Sequence, residues 1–409
     1  MSGTPGSFAR SVLTDRHPLL LRQVADGHPY PPDVRRALDA LAEETAAPAS
    51  ADATDGPPMG PLPPGAAFPD RELWERWGAA HYVGRKSWYD VPFLWAENWF
   101  YRRLLAAVGW FGPGPWQGVD PFAPVKRAEL AGAEVAAELA ALDGLDALAP
   151  DERDRALLRA ALWGNRADLG FRLTSDEAAS TDTATTQAAV PPRHDTVLAD
   201  DSPALWRHLA AAPPGTAAVH LIADNAGREL IPDLILLDHL LRTGRAATTV
   251  LHVKPYPYFV SDATTADVLD CVRRIGRAPG RAGETGVRLR EALRDGRLAI
   301  RTHPFFCAPL PYAAMPGDLR AELGGATVTL LKGDLNYRRL VGDRWWPPTS
   351  GFAAATAYFP GPLAALRTLK SDVVVGLDAA TVTGLDADSR TTGASWRTSG
   401  TYAVVQARA

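Results

Sequence analysis

The sequence predicts an α/β fold: a mostly parallel β-sheet flanked by helices, behind an all-helical N-terminal half. Three observations point there. After about residue 200, short apolar runs alternate with helical patterns, the texture of strands joined by helical crossovers. Before that point apolar residues recur at helical spacing, as in Val34, Leu38 and Leu41. A polar, turn-rich stretch, SDEAASTDTATTQAAVPPRHD at 175–195, separates the two textures.

The N-terminal half reads as helix from the apolar spacing of Val12, Leu13, Leu19, Leu20, Leu21 and Val24 onward. Residues 45–70, dense in Pro, Gly, Ala and Ser, read as an extended linker-like segment. Helical patterns resume from Glu72 to about Gly170, including the aromatic run WYDVPFLWAENWFYRRLLAAVGWF, whose rings are expected as core between the halves. The expected domains are therefore 1–174, helical, and 195–409, α/β. In the second, candidate strands are 217–223, 248–253, 297–302, 326–331, 372–377 and 401–407. Leu230, Leu234, Leu237 and Leu241 give the helix after the first of these one apolar face. The outline is Rossmann-like, and such sheets bind ligands outside the carboxyl ends of their strands, where strand order reverses.

Composition narrows the function classes. With 409 residues, 46% hydrophobic and 22% charged, the chain has the make-up of a soluble globular protein. A net charge of -4 supplies no basic field for nucleic acid. Two cysteines cannot build a disulfide framework, which fits a reducing cytoplasm. No secretory leader and no membrane span is expected, since no apolar run reaches roughly 18 residues.

The strand ends carry the chemistry. Asp224 and Asn225 follow the first candidate strand, and Ser261-Asp262 follows the second after an apolar Tyr258-Phe259-Val260 segment. LLKGDLNYRRL supplies Lys332, Asp334, Asn336, Tyr337 and Arg338 after the fourth, and Arg367 and Lys370 stand just before the fifth. Each has a bland alternative. Asp224 or Asp262 could be a helix cap, Asp334 an Asx turn, and a lone Lys or Arg a solvated charge. Gathered in one crevice, Asp, Asn and Asp oxygens would suit Mg²⁺ or Mn²⁺, and the cations beside them a phosphate. There is no G-x-G-x-x-G, P-loop, H-E-x-x-H or G-x-S-x-G sequence, so dinucleotide, nucleoside-triphosphate, zinc-protease and serine-hydrolase readings lack support.

The blocks DNAGREL, VSD, KGDLNYRRL and RTLK resemble the signature blocks of the DUF89 damage-control phosphatase family, in its ARMT1-like branch, where an Arg-Thr-x-Lys block is a hallmark. GSFARSVLTDRHPLLL, WYDVPFLWAENWFYRRL and LWGNRADLG are similar to that family's N-terminal blocks in the same order. The resemblance covers nearly the whole chain and is weakest at 45–70 and 172–200. It implies a metal-dependent phosphatase acting on small phosphorylated metabolites such as sugar phosphates. It further implies metal ligands at Asp224, Asn225 and Asp262, and Mn²⁺ or Mg²⁺ as the ion, with Co²⁺ or Ni²⁺ as further candidates. Substrate contacts are implied at Asp334, Leu335, Asn336, Tyr337, Arg338 and Lys370, with Glu229 and Arg367 nearby. Arg228 stands where animal relatives are expected to carry an apolar or aromatic residue. In the helical half Glu97, Arg102, Trp163, Asn165 and Asp168 lie in family-like blocks, and Asn165 is taken as a pocket residue. Two other classes stay open: an S-adenosylmethionine-dependent protein-glutamate carboxyl methyltransferase, and a non-catalytic sugar-phosphate binder.

Overall fold

The computed structural model describes residues 4, 7–46, 56–63, 65–164 and 196–409. Asn165 and Asp168 therefore lie outside the described residues. The chain divides into two compact units: residues 1–126 with 256–260 and 304–310, and residues 127–255 with 261–303 and 311–409.

The first unit is helical. Its helices include α1 (His17–Gly27), α2 (Pro32–Thr45) and α3 (Phe93–Ala107). α3 is buried almost all round, because nearly every position carries an apolar, aromatic or paired side chain. Trp74, Trp95 and Trp99 pack edge and face on one another with centroids 4.9–5.9 Å apart, within the range where aromatic pairs add to area burial. Arg102 is held by Asp70 at 2.8 Å and lies over Phe111, so its charge is spent inside this unit.

The second unit is built on a seven-stranded sheet of order β1-β7-β6-β5-β2-β3-β4. The strands are β1 (Val197–Asp200), β2 (Ala218–Ile222), β3 (Thr248–Val253), β4 (Leu298–Thr302), β5 (Val328–Lys332), β6 (Leu363–Thr368) and β7 (Ala403–Arg408). Neighbours run parallel except β6 and β7. Flanking helices include α4 (Ala133–Ala140), α5 (Pro150–Trp163), α6 (Ser202–Ala211), α7 (Leu230–Arg242), α8 (Thr265–Gly276), α9 (Gly280–Asp295), α10 (Gly317–Gly324), α11 (Gly333–Val341) and α12 (Ala379–Thr392). Val219, Leu221, Leu251, Val253, Val328 and Leu330 alternate onto one sheet face, where Leu230, Leu234 and Leu237 of α7 join the main core.

The α/β expectation therefore holds, with one correction inside it. β6 lies at Leu363–Thr368, not at 372–377. Val373–Val375 are apolar and buried, but their backbone is bound by side chains instead of a ladder. Val375 N–H donates to the Tyr337 hydroxyl at 3.2 Å, and its carbonyl accepts from Gln406 Nε2 at 2.8 Å. Consequently Arg367 lies within a strand and Lys370 follows it. None of the described helices is long and apolar enough to cross a membrane.

Topology already picks out one place. The chain steps outward from β2 through β3 to β4, then returns to lay β5 on the other flank of β2. The order thus reverses between β2 and β5, and the loops leaving their carboxyl ends diverge to open a crevice.

Candidate active site

Asp224 and Asn225 follow β2 directly, and the loop after β3 is folded back on them. Ala226 N–H donates to the Ser261 carbonyl at 2.7 Å, and Ala263 N–H to the Asp224 carbonyl at 2.8 Å. These bonds form a short antiparallel bridge between Asn225 and Asp262. Ser261 Oγ donates to Asn225 Oδ1 at 2.6 Å. The chain enters this bridge through Phe259 and Val260, both at positive φ (45° and 66°), a conformation disfavoured for such residues. Asp224, Asn225 and Asp262 are brought together by backbone pairing, so their placement does not depend on side-chain rotamers alone.

The third wall is the start of α11. Gly333, at φ 85°, lets the helix approach so closely that a Cβ there would overlap the Asp224 carboxylate. The residues after β5 thus form the first turn of a nine-residue helix, whose free amide groups favour an anion. Asp224 is raised well above the usual carboxylate range by burial, then by the Asp262 and Glu229 carboxylates, against the pull of Lys370 and Lys254. Buried carboxylates crowded in this way favour a bound cation. Their hard oxygens, with the Asn225 carbonyl beside them, fit Mg²⁺ or Mn²⁺ better than a thiolate- or imidazole-seeking ion.

Cations reach the site from two sides. Lys254, at the end of β3, is buried with its Nζ 3.3 Å from Asp262 Oδ2. Lys370 is exposed, with Nζ 3.7 Å from Glu229 Oε1. Burial works against its ammonium, but Glu229, Asp224 and Asp334 hold its pKa above the usual lysine value. Glu229 thus bridges the acidic residues to the exposed Lys370.

The remaining candidates support these groups from behind. Asp334 accepts from Arg367 Nε at 2.8 Å and from Ser371 Oγ at 3.1 Å. Burial alone would raise Asp334, yet Arg367 and Arg338, aided by these hydrogen bonds, hold it below the usual carboxylate range. Arg367 is fully buried over the Tyr337 ring and also binds the Ser371 carbonyl. Asn336 donates to the Ala223 and Lys332 carbonyls at 3.1 and 2.8 Å and accepts from Tyr312, tying α11 to the end of β2. Tyr337 hydrogen-bonds Gln406, and Leu335 is buried. Arg338 pairs with Asp343 at 2.8 Å, and Lys332 with Asp233 at 2.5 Å. The structure thus gathers Asp224, Asn225, Asp262, Glu229, Lys370 and the α11 N-terminus. Leu335, Asn336, Tyr337, Arg338 and Arg367 are engaged in holding that helix and the segment after β6.

The chain matches the model of the damage-control phosphatase ARMT1-like domain over residues 12–384. It belongs to the ARMT1-like family. Among its relatives, the damage-control phosphatase ARMT1 of Danio rerio is 33% identical over 340 residues, 78% of this chain and 74% of that protein. The Mus musculus protein of the same name is 32% identical over 340 residues, covering 79% and 75%. The Homo sapiens protein is 30% identical over 342 residues, covering 79% and 76%. A DUF89 family protein from Pyrococcus horikoshii aligns over 96% of both chains with a TM-score of 0.50 at 15% identity, which carries the fold alone.

Within this ARMT1-like chain, Lys254 is the site residue that pattern reading passed over. Its signal was present: a lysine closing a buried strand, eight residues before Asp262. Arg228, the departure noted in the DNAGREL block, turns to Glu138 of α4, with Nε 3.0 Å from Oε1.

Proposed function

We propose that this chain is a divalent-metal-dependent phosphatase that hydrolyses small phosphorylated metabolites, sugar phosphates among them. The observation that carries the proposal is the Asn225–Asp262 bridge. It sets two carboxylates and an amide oxygen at the strand-order reversal, opposite a helix N-terminus and a lysine. Family membership supports phosphatase chemistry, and the donor set supports a metal.

Asp224, Asn225 and Asp262 would hold the ion, Mn²⁺ or Mg²⁺ first and Co²⁺ or Ni²⁺ as further candidates. When bound, it would polarise a phosphoryl oxygen and neutralise developing charge. The chain's own groups supply the rest. The amides of the first turn of α11 and the Lys370 ammonium face the phosphoryl oxygens, where negative charge spreads during transfer. Glu229 orients Lys370, and Arg367 keeps Asp334 ionised so that the turn carrying these amides stays fixed. Lys254 balances the charge of Asp262 beneath the site. Net reaction breaks the ester P–O bond and forms one to water, whose proton goes to the leaving alkoxide.

The test is phosphate release from a panel of phosphorylated metabolites, with each of the four metals and with chelator. Turnover that requires metal and favours sugar phosphates supports the proposal. Metal-independent release, or no release from any member, overturns it.

A further inference from the structure

We propose that His220, His252 and Glu322 form a second metal site, built for a borderline ion such as Zn²⁺ and separate from the oxygen site at Asp224. One ligand atom from each of the three lies within 4.8 Å of the others. His220 projects from β2 and His252 from β3, on the face opposite Val219 and Leu221. His252 Nε2 sits 3.0 Å from His220 Nδ1. Two nitrogens bound to one tetrahedral zinc at roughly 2.0–2.1 Å stand only slightly farther apart. Both imidazoles are buried.

Glu322 comes from α10 and completes a two-histidine, one-carboxylate set, leaving a fourth position for water. Its carboxylate meets Arg301 of β4 at 2.6 Å. The Arg301 side chain is 55% exposed, so that ion pair is screened by solvent and readily released. The guanidinium can swing to solvent as the ion arrives.

Position separates this site from the first. His220 precedes Asp224 by four residues, about 13 Å of extended chain, and His252 pairs with Ile222, two residues before Asp224. Two-metal catalytic centres hold their ions only about 3.5–4 Å apart, and the three ligands of this cluster come from β2, β3 and α10, none of them shared with the Asp224, Asn225 and Asp262 set. The inference therefore stands independently of the phosphatase proposal. Ligand type separates the sites as well, since imidazoles favour Zn²⁺ whereas the Asp–Asn–Asp set favours Mg²⁺ or Mn²⁺ first. Bound metal would tie α10 to one end of the sheet, where β2, β3 and the edge strand β4 lie side by side.

The experiment strips the full-length protein with chelator and titrates Zn²⁺ calorimetrically in excess Mg²⁺. Co²⁺ serves as a second probe, read by its visible absorption. The wild type and Asp224→Ala should each take up one Zn²⁺ equivalent under these conditions. Glu322→Gln should weaken uptake at least about tenfold, the lower end of what even an outer-shell partner contributes. His252→Gln should remove it. Glu322 is only partly buried, so its variant keeps the test decisive if His252→Gln fails to fold. No uptake by the wild type overturns the proposal. So does uptake lost in Asp224→Ala but unchanged in Glu322→Gln, and so does uptake equal in wild type and Glu322→Gln. Those outcomes leave His220 and His252 as a hydrogen-bonded pair within the sheet.

Discussion

Replacing Gly333 with alanine adds one methyl group and probes the approach of α11 to Asp224. The new Cβ would stand 2.7 Å from the Asp224 Cβ and overlap its carboxylate. Neither partner is a flexible chain end: Asp224 is fixed by the bridge to the 261–263 loop, and Gly333 begins a helix. The carboxylate must withdraw by an ångström or more, or α11 must tilt away. A displacement of that size at reacting groups costs on the order of 100-fold in rate. Backbone strain is a smaller matter, since an alanine forced to φ 85° costs about 1–2 kcal/mol. The expected variant therefore keeps its circular dichroism and melts only a few degrees lower, while metal-dependent kcat/KM on an aryl phosphate falls about 100-fold. Wild-type kcat/KM in a folded Gly333→Ala protein would refute the reasoning, because Asp224 would then tolerate a position the α11 approach forbids.

Three further outcomes follow from the same contacts. Arg367→Met strands the buried Asp334 carboxylate, which should cost roughly 3–5 kcal/mol of stability and be read as a drop in denaturation midpoint. Lys370→Met removes an exposed cation with little structural role; it should lower kcat/KM for a phosphate ester about 10- to 100-fold with an unchanged melting temperature. His17 is buried, stacked on Phe100, and has no hydrogen-bond partner on either ring nitrogen among the described residues. Burial depresses its pKa from 6.5 to about 3, so between those values the unfolded chain binds the extra proton. Its contribution is intact above pH 6.5 and declines as pH falls towards 3, by at most about 1.4 kcal/mol per unit. Denaturation of His17→Phe across pH 4–7 should show a shallower acid loss than wild type, and an identical slope would contradict the assignment.

Residue types at strand ends were legible because their chemistry is local. Asp224-Asn225 interrupts an apolar run, and Asp262 ends another, so each announces a turn with oxygen donors. What joins them was not legible. It depends on a reversal through Phe259 and Val260 at positive φ, against the preference of both residue types. Lys332 and Arg338 looked like further cations for the crevice, but their partners decide otherwise: Asp233 lies on a helix 99 residues earlier, and Asp343 follows five residues later. The strand at 363–368 was hidden because LAALRT is rich in helix formers. The nearby Val373–Val375 run carries β-propensity but is held by Tyr337, Gln406 and Arg367. His220 and His252 are 32 residues apart, and only the parallel pairing of β2 and β3 brings them together.

The central claim is that Asp224, Asn225 and Asp262 hold a divalent ion on which phosphate release depends. Asp224→Ala tests it most directly, assayed for release from an aryl phosphate beside the wild type, in Mn²⁺ and in excess chelator. The account predicts that the variant in metal and the wild type in chelator both fall by at least about 100-fold, with the variant's fold intact by circular dichroism. Undiminished release under either condition would contradict it.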